Sequence, residues 1–402
     1  MPSSRLTRRH FLRASAAAGA GLAGMALASC GGAAAPSPSA SKLAASAPAS
    51  PPPSSAASGS LTAPADWQRQ WDQIIAGAKK EGKLNLVVTT GEPFSTVYQA
   101  FTAKYGVQVD ITTGNGQADI VPRIANERKS GQFLWDAMVH SPQALFNGLK
   151  PIGALDPLQP SLVLPEILDD TKWAGGFDAG WADTEKKLVY TFVSYAEWAA
   201  WINRDVIPES QLNSYEQLWD PKWRGKMAWQ DPRVPSSAVA KAGAILKYKG
   251  EDKLRALLTQ QAPVLTQDQR QLAEWVLRGQ YPIAIGLYQP QLIPFAQQGV
   301  KFNVQPLRDA DPAAATLASG TGSVVLFNRP PHPNAAKLLV NWQLSQEGQA
   351  EYSQRTRFNI RRLDVPVFDK EMLPDPARDY LNVGKEDVYP FYTQALNIAK
   401  DA

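Results

Sequence analysis

Gln271-Leu272-Ala273-Glu274-Trp275-Val276-Leu277-Arg278, then Gly279, then Pro282-Ile283-Ala284-Ile285-Gly286-Leu287-Tyr288, is the stretch that decides the fold class. Leu272, Trp275 and Val276 recur at helical spacing, while Arg270, Glu274 and Arg278 point elsewhere. Asp268 can cap the start of this helix, and Gly279 stands where a left-handed C-terminal residue is wanted. The segment from Pro282 to Leu287 is short, apolar and nearly unbroken, as in a parallel strand buried on both faces. It ends in Tyr288. In open α/β sheets, ligands sit at the carboxyl ends of such strands. Two readings of Tyr288 stand side by side: a ligand contact, or a strand-end tyrosine packed against a loop.

The same alternation appears toward the N-terminus. Asp66 can cap a helix whose Trp67, Trp71, Ile74, Ile75 and Ala78 share a face, with Gly82 as its end. Leu84 to Thr89 reads as a buried strand, and Thr90-Gly91-Glu92-Pro93 as a loop. Ser95 opens a helix carrying Val97, Phe101 and Tyr105. Val107 to Thr112 reads as a second strand and Asp136 to Val139 as a third, each followed by a helix. Such alternation implies a parallel sheet with helices on both faces. Gly114-Asn115-Gly116 invites a dinucleotide reading, but Asp119 occupies the place of the third glycine.

Beyond Val189 the texture changes. Val189-Tyr190-Thr191-Phe192-Val193 is β-rich and is expected to cross between lobes, with Tyr195 just beyond it as a candidate ligand contact. Ser214 and Gln217 form a capping box. Asp231-Pro232-Arg233-Val234-Pro235-Ser236-Ser237 follows the strand Lys226 to Gln230 and opens a helix. Free N–H groups, the hydroxyls of Ser236 and Ser237 and the Arg233 guanidinium can converge there as an anion cradle. The alternative is ordinary capping by Ser236 with Arg233 in solvent. Pro333-Asn334 opens a later helix, Ser345 the next, and a final helix runs near Phe391 to Ala399.

The chain has 402 residues, enough for two lobes, and 44% of them are apolar, with 12 Trp. The net charge of +4 misleads. Arg5, Arg8, Arg9 and Arg13 lie in the first 29 residues, which hold no acid; without them 37 basic residues face 37 acidic ones. A neutral body lacks the basic face that a nucleic-acid binder needs. Thr7-Arg8-Arg9-His10-Phe11-Leu12-Arg13 resembles the twin-arginine export motif, with Arg8 and Arg9 as its pair. The Ala/Gly stretch after it is too short and bland for a span of about 20 apolar residues. Leu27-Ala28-Ser29-Cys30 resembles a bacterial lipobox, and Cys30 is the one cysteine of the chain. The alternative is a cleaved signal with a chance cysteine. Residues 31–63 are Ala, Ser, Pro and Gly with one charge, a disordered tether with a reach on the order of 30 Å.

Four motifs carry a resemblance. They are Gln271-Leu272-Ala273-Glu274-Trp275 with Tyr281-Pro282-Ile283-Ala284-Ile285-Gly286; Pro331-His332-Pro333-Asn334-Ala335-Ala336-Lys337 running on to Leu344-Ser345-Gln346-Glu347-Gly348-Gln349; Asp220-Pro221-Lys222-Trp223-Arg224-Gly225-Lys226; and Asp231-Pro232-Arg233. Over roughly Leu84 to Arg362 the chain resembles the ABC-transporter extracellular solute-binding proteins of family 1, on the ferric-binding branch. The resemblance implies an α/β fold, a two-lobed type II periplasmic-binding clamshell in which each lobe is a mostly parallel sheet flanked by helices. It implies a first lobe of residues 64–190 with a return segment at about 309–355, and a second lobe of 191–308 with a C-terminal segment at about 356–402. Residues 1–30 would be the signal and 31–63 the tether.

Ferric-binding relatives use two adjacent tyrosines, a histidine and a glutamate. Here Tyr288 falls at the tyrosine position and Gln289 beside it. The first loop offers Thr90 and Glu92, and the third Ser141 with His140 before it. Taken with the Arg233–Ser236–Ser237 cradle and Tyr195, the expected site is Thr90, Glu92, Ser141, Tyr195, Arg233, Ser236, Ser237 and Tyr288, with Tyr288 the metal candidate. The resemblance implies no resident cofactor, and a cargo that is Fe(III), a chelated metal, an organic acid, a phosphorylated compound or another small polar solute. A monomer outside the cytoplasm, anchored through Cys30, would pass this cargo to a permease and its ATPase.

The rival readings are an exported enzyme and a sensor-type binding lobe. Against catalysis, the body has only His140 and His332, no Gly-x-Ser-x-Gly elbow and no thiol nucleophile. His332, between prolines, is expected at the surface. Nothing in the residues separates transport from sensing.

Overall fold

A computed structural model describes residues 65–402. Arg8, Arg9, Cys30 and the tether 31–63 lie outside the described residues. Two sheets carry the body, and a third, small sheet joins them.

The first sheet runs in the order Gln108–Gly114, Lys83–Thr89, Ala137–His140, Ser323–Phe327, Leu155–Asp156. The first three strands are parallel, and Ser323–Phe327 enters antiparallel beside Ala137–His140. Alternation along each strand sends neighbouring residues to opposite faces. Leu84, Leu86 and Val88 pack with Ala137, Val139, Val324 and Leu326 on one face. Val87, Met138, Val325 and Phe327 pack on the other. Both faces are therefore buried, which is why these strands read as apolar runs.

The second sheet runs Val304–Pro306, Ala200–Asn203, Ile283–Ile285, Met227–Gln230, Val264–Thr266. The same parity holds. Ile283, Ile285, Met227 and Trp229 pack on one side, and Ala284, Ala228 and Trp201 on the other. Ile283–Ile285 is buried throughout, but it is parallel only to Met227–Gln230; toward Ala200–Asn203 it is antiparallel. The helix before it is Gln269–Leu277, capped by the Asp268 carboxylate on the N–H groups of Arg270 and Gln271. Gly279 takes its left-handed φ of 69°. The capping box of Ser214 and Gln217 is also present.

Three details differ from the sequence reading. Tyr190–Thr191 stays on the first sheet, antiparallel to Ser323–Phe327; the chain crosses in the next two strands, Tyr195–Trp198 and Ala200–Asn203. The helix expected from Ser95 comes as two, Glu92–Thr96, with Pro93 tolerated in its first turn, and Tyr98–Tyr105. His332 is no surface residue: its ring nitrogen lies 2.8 Å from the buried Asp136 carboxylate, which also accepts the His332 N–H at 2.7 Å. Asp136 accepts the Asn85 N–H as well, so one carboxylate ties a strand start to a helix start. A buried carboxylate needs such donors, and the prolines around His332 do not supply them.

The joining sheet has three strands. Ala315–Ala318 lies antiparallel to Tyr195–Trp198 and parallel to Leu381–Asn382. Tyr389–Asp401 closes the chain as a helix. No described helix is long and apolar enough to cross a membrane.

Candidate functional site

A cavity of about 700 Å³ opens where the joining sheet meets the strand ends of both larger sheets. Its size falls in the range of small-molecule sites. Strand parity sets its floor. Tyr195 and Glu197 stand on one face of Tyr195–Trp198, opposite Ala318 and Thr316 in register. The cavity receives Tyr195, Glu197 and Ala318, while Thr316 is buried beside Lys241.

One wall comes from the second sheet. Ile283–Ile285 ends in Gly286, whose φ of 75° turns the chain. Gln269 then holds the turn: its amide donates to the Gly286 carbonyl at 2.8 Å and accepts the Tyr288 N–H at 3.0 Å. Tyr288 is so placed in the wall. Pro235, Ser236, Ser237 and Ala240 follow, at the start of helix Ser237–Lys249. The first-turn N–H groups of a helix have no partner within it. Tyr389 and Tyr392, stacked 5.4 Å apart, extend this wall.

The other wall comes from the first sheet. It holds Asn115, Gly116, Gln117, His140, Ser141 and Gln143. Gly116 has φ of 51°, and a Cβ there would meet the His140 ring at 2.9 Å. The Ser141 N–H donates to His140 Nδ1 at 2.8 Å, so Nδ1 accepts and Nε2–H donates to the Gly114 carbonyl at 3.2 Å. Burial lowers the His140 pKa, opposed by the Gly114 bond and by Asp119.

Charge in the cavity is arranged around one ion pair. Lys241, fully buried, donates to Glu197 Oε2 at 2.5 Å and to the Thr316 hydroxyl. Burial lowers the Lys241 pKa, and Glu197 opposes it. Glu197 Oε1 accepts no hydrogen bond among the described residues, nor has the hydroxyl of Tyr195 or Tyr288 a partner there. Burial raises both phenols, and the Glu197 carboxylate adds to it. Tyr195, Tyr288 and Glu197 thus line one cavity, each with an oxygen that has no partner among the described residues.

Of the residues singled out in the sequence, Ser141, Tyr195, Ser236, Ser237 and Tyr288 line the cavity. Arg233 does not. Its guanidinium pairs with both oxygens of Asp231, two residues back, at 2.9 Å, and half its side chain is in solvent. Nor do Thr90 and Glu92, which are exposed. Their loop is anchored instead by Phe94, packed 6.3 Å from Phe358. The Ser237 hydroxyl donates to Gln230 at 2.9 Å, so the cradle offers main-chain N–H groups more than hydroxyls. Glu197, Lys241, Asn115, Gln117, His140 and Gln143 went unread as site residues. The only signal for Asn115 was its glycine-flanked loop after a strand. No cluster of three or more His, Cys, Asp or Glu able to hold a metal exists among the described residues.

Residues 96–371 match the family model of the bacterial extracellular solute-binding proteins. No curated protein sequence matches the chain. Among solved structures, the fold is similar to iron-bound HitA from Pseudomonas aeruginosa, at 19% identity and TM-score 0.61 over 79% of this chain and 98% of that one. It is similar to the Trichodesmium protein FutA in complex with iron and citrate, at 17% identity and TM-score 0.60 over 80% and 99%. The ferric-binding protein of Campylobacter jejuni aligns at 15% identity and TM-score 0.60 over 79% and 98%. At such identities the likeness establishes the two-sheet periplasmic-binding fold.

Proposed function

Because the chain belongs to the bacterial extracellular solute-binding proteins, we propose that it captures a small oxygen-rich solute in the Tyr288 cavity and hands it to the membrane permease of an ABC importer. The observation that carries this reading is that Tyr195, Tyr288 and Glu197 line one cavity, each with an oxygen that has no partner among the described residues. Polar groups that line a cavity and are not tied to the protein are free to bond a ligand's oxygens, and closing the cavity over a ligand makes each such bond count. The body works as a binding protein without catalysis and as a monomer. The lobes are 64–190 with 309–355, and 191–308 with 356–402. Arg8 and Arg9 route the chain through twin-arginine export, and a lipid on Cys30 holds it at the membrane outside the cytoplasm. Intact mass of the exported protein should show the acyl group; an unmodified Cys30 removes the anchor from this account.

Within that solute class, a ferric chelate is the cargo best supported. The structural neighbours HitA and FutA were solved with iron, the latter with citrate. Phenols coordinate Fe(III) as phenolates, and an arriving cation offsets the burial that raises their pKa. Yet the phenols of Tyr195, Tyr288 and Tyr389 and the Glu197 carboxylate are a small set for such an ion, and Glu197 is already shared with Lys241. A chelator must complete the coordination, and the amides and helix start around the cavity suit its oxygens. A thermal-shift screen with ferric citrate, bare Fe(III), polyols and phosphorylated solutes tests this. Ferric citrate should raise the melting temperature and give a visible charge-transfer band that Tyr288→Phe weakens and Tyr288→Phe with Tyr195→Phe abolishes. A shift from an iron-free solute alone, with no band, overturns the iron assignment while leaving solute capture standing.

A further inference from the structure

A second cavity, of about 630 Å³, lies on the opposite face of the joining sheet. Leu317, opposite Ala196 in register, lines it, whereas Tyr195 and Glu197 face the solute cavity. Ala318 and Ser319 touch both cavities, so the strand Ala315–Ala318 is the partition between them.

The lining of this second cavity is mostly apolar, and Leu363, Val367 and Leu373 stand at its mouth, 65%, 45% and 43% exposed. Large apolar side chains gathered in the open around a cavity mark a binding surface. Three cations line the same cavity, and one of them, Arg362, is already paired with Glu166 and Asp364. Arg361 is buried; its guanidinium donates to the carbonyls of Ala174 and Gly176 at 2.7 Å each and to the Tyr190 hydroxyl at 3.3 Å. Lys385 Nζ donates to the Ala179 carbonyl at 2.9 Å and to that of Trp181. Main-chain carbonyls take up the N–H groups of both, and Asp387 and Asp178 act on Lys385 only from farther off. Burial, then repulsion by Arg361 and Lys186, lower the Lys385 amine to about 8 against the opposing pull of Asp387 and Asp178. Charges withdrawn from water call for a counter-charge, and carbonyl dipoles are a weaker substitute.

We propose that this cavity is a second ligand site, for an amphipathic carboxylate whose head meets Lys385 and Arg361 and whose hydrocarbon body covers Leu317 and the Leu363–Val367–Leu373 mouth. It is separate from the solute site and does not depend on the identity of the cargo.

Calorimetric titration of the full chain carrying Cys30→Ser, which removes the need for detergent, tests this with decanoate, decanol and acetate as probes. Decanoate should bind at one site, about tenfold or more tighter than either control, because only it supplies both head and chain. Lys385→Met should erase the preference over decanol, and Leu363→Asp, at an exposed position, should weaken both. In the unsubstituted chain the preference should shrink as pH rises from about 7 to about 10, where the amine loses its proton. Tyr288→Phe should leave decanoate binding unchanged. Equal binding of decanoate and decanol, a preference that ignores pH or survives Lys385→Met, or unchanged binding in Leu363→Asp would each overturn the proposal.

Discussion

Tyr288 owes its place to residues outside the strand it follows. Gly286 supplies the turn, and Gln269, from the preceding helix, clamps both sides of it. The tyrosine itself was legible, because a short apolar run ending in a polar aromatic residue marks a strand end. Its companions were not. Glu197 reads as one acid in a β-rich stretch; only register with Thr316 and the depth of Lys241 show what it does. Arg233 misled for the opposite reason. Beside a Ser-Ser helix start it looks like a ligand group, but an aspartate two residues away is a nearer partner than any solute. Tyr288→Phe should therefore weaken solute binding by about 1–3 kcal/mol, while Arg233→Ala leaves affinity unchanged in the same titration. A loss in Arg233→Ala equal to that in Tyr288→Phe would put the guanidinium back in the site.

His140 gives a prediction in pH. Its folded pKa lies below the ordinary 6.5 because the ring is buried, with Asp119 as the nearby opposing charge. The contribution of the neutral ring is complete above pH 6.5. As pH falls below that, the unfolded chain takes up the proton first, and stability is lost until the folded pKa is passed. Melting temperature should thus drop more steeply between pH 7 and 5 in the native chain than in His140→Gln. Parallel curves would show that His140 is not held neutral.

At the scale of elements, helix Ser237–Lys249 and strand Tyr195–Trp198 belong to distant parts of the sequence and meet through one ion pair. The helix was readable from its Ser start and apolar positions. Lys241 within it drew no reading, since nothing local predicts that a lysine one turn into a helix is fully buried. Breaking a buried pair strands a charge and costs about 3–5 kcal/mol. Lys241→Met should destabilise the fold by that order in denaturant unfolding, and adding Glu197→Gln should recover part of it. If the double variant is no more stable than Lys241→Met, the pair is not what Lys241 serves.

At the scale of the molecule, the alternating apolar runs in residues 84–139 made the first sheet legible. The antiparallel entry of Ser323–Phe327 was not, because it depends on a return of the chain almost two hundred residues later. The same long-range return builds both cavities. Asn115 to Ala118, His140 to Gln143, Tyr195 and Glu197, Ser236 to Ala240, and Tyr288 are all brought to one cavity. Hydrogen exchange of backbone amides, with and without the solute that raises the melting temperature, tests the central claim most directly. Bound solute should slow exchange at Asn115–Ala118, Ser141–Gln143, Ser236–Ala240 and Tyr288 together, four segments from both walls. Slowing on one wall alone, or at none of these segments under saturating solute, would contradict capture in this cavity.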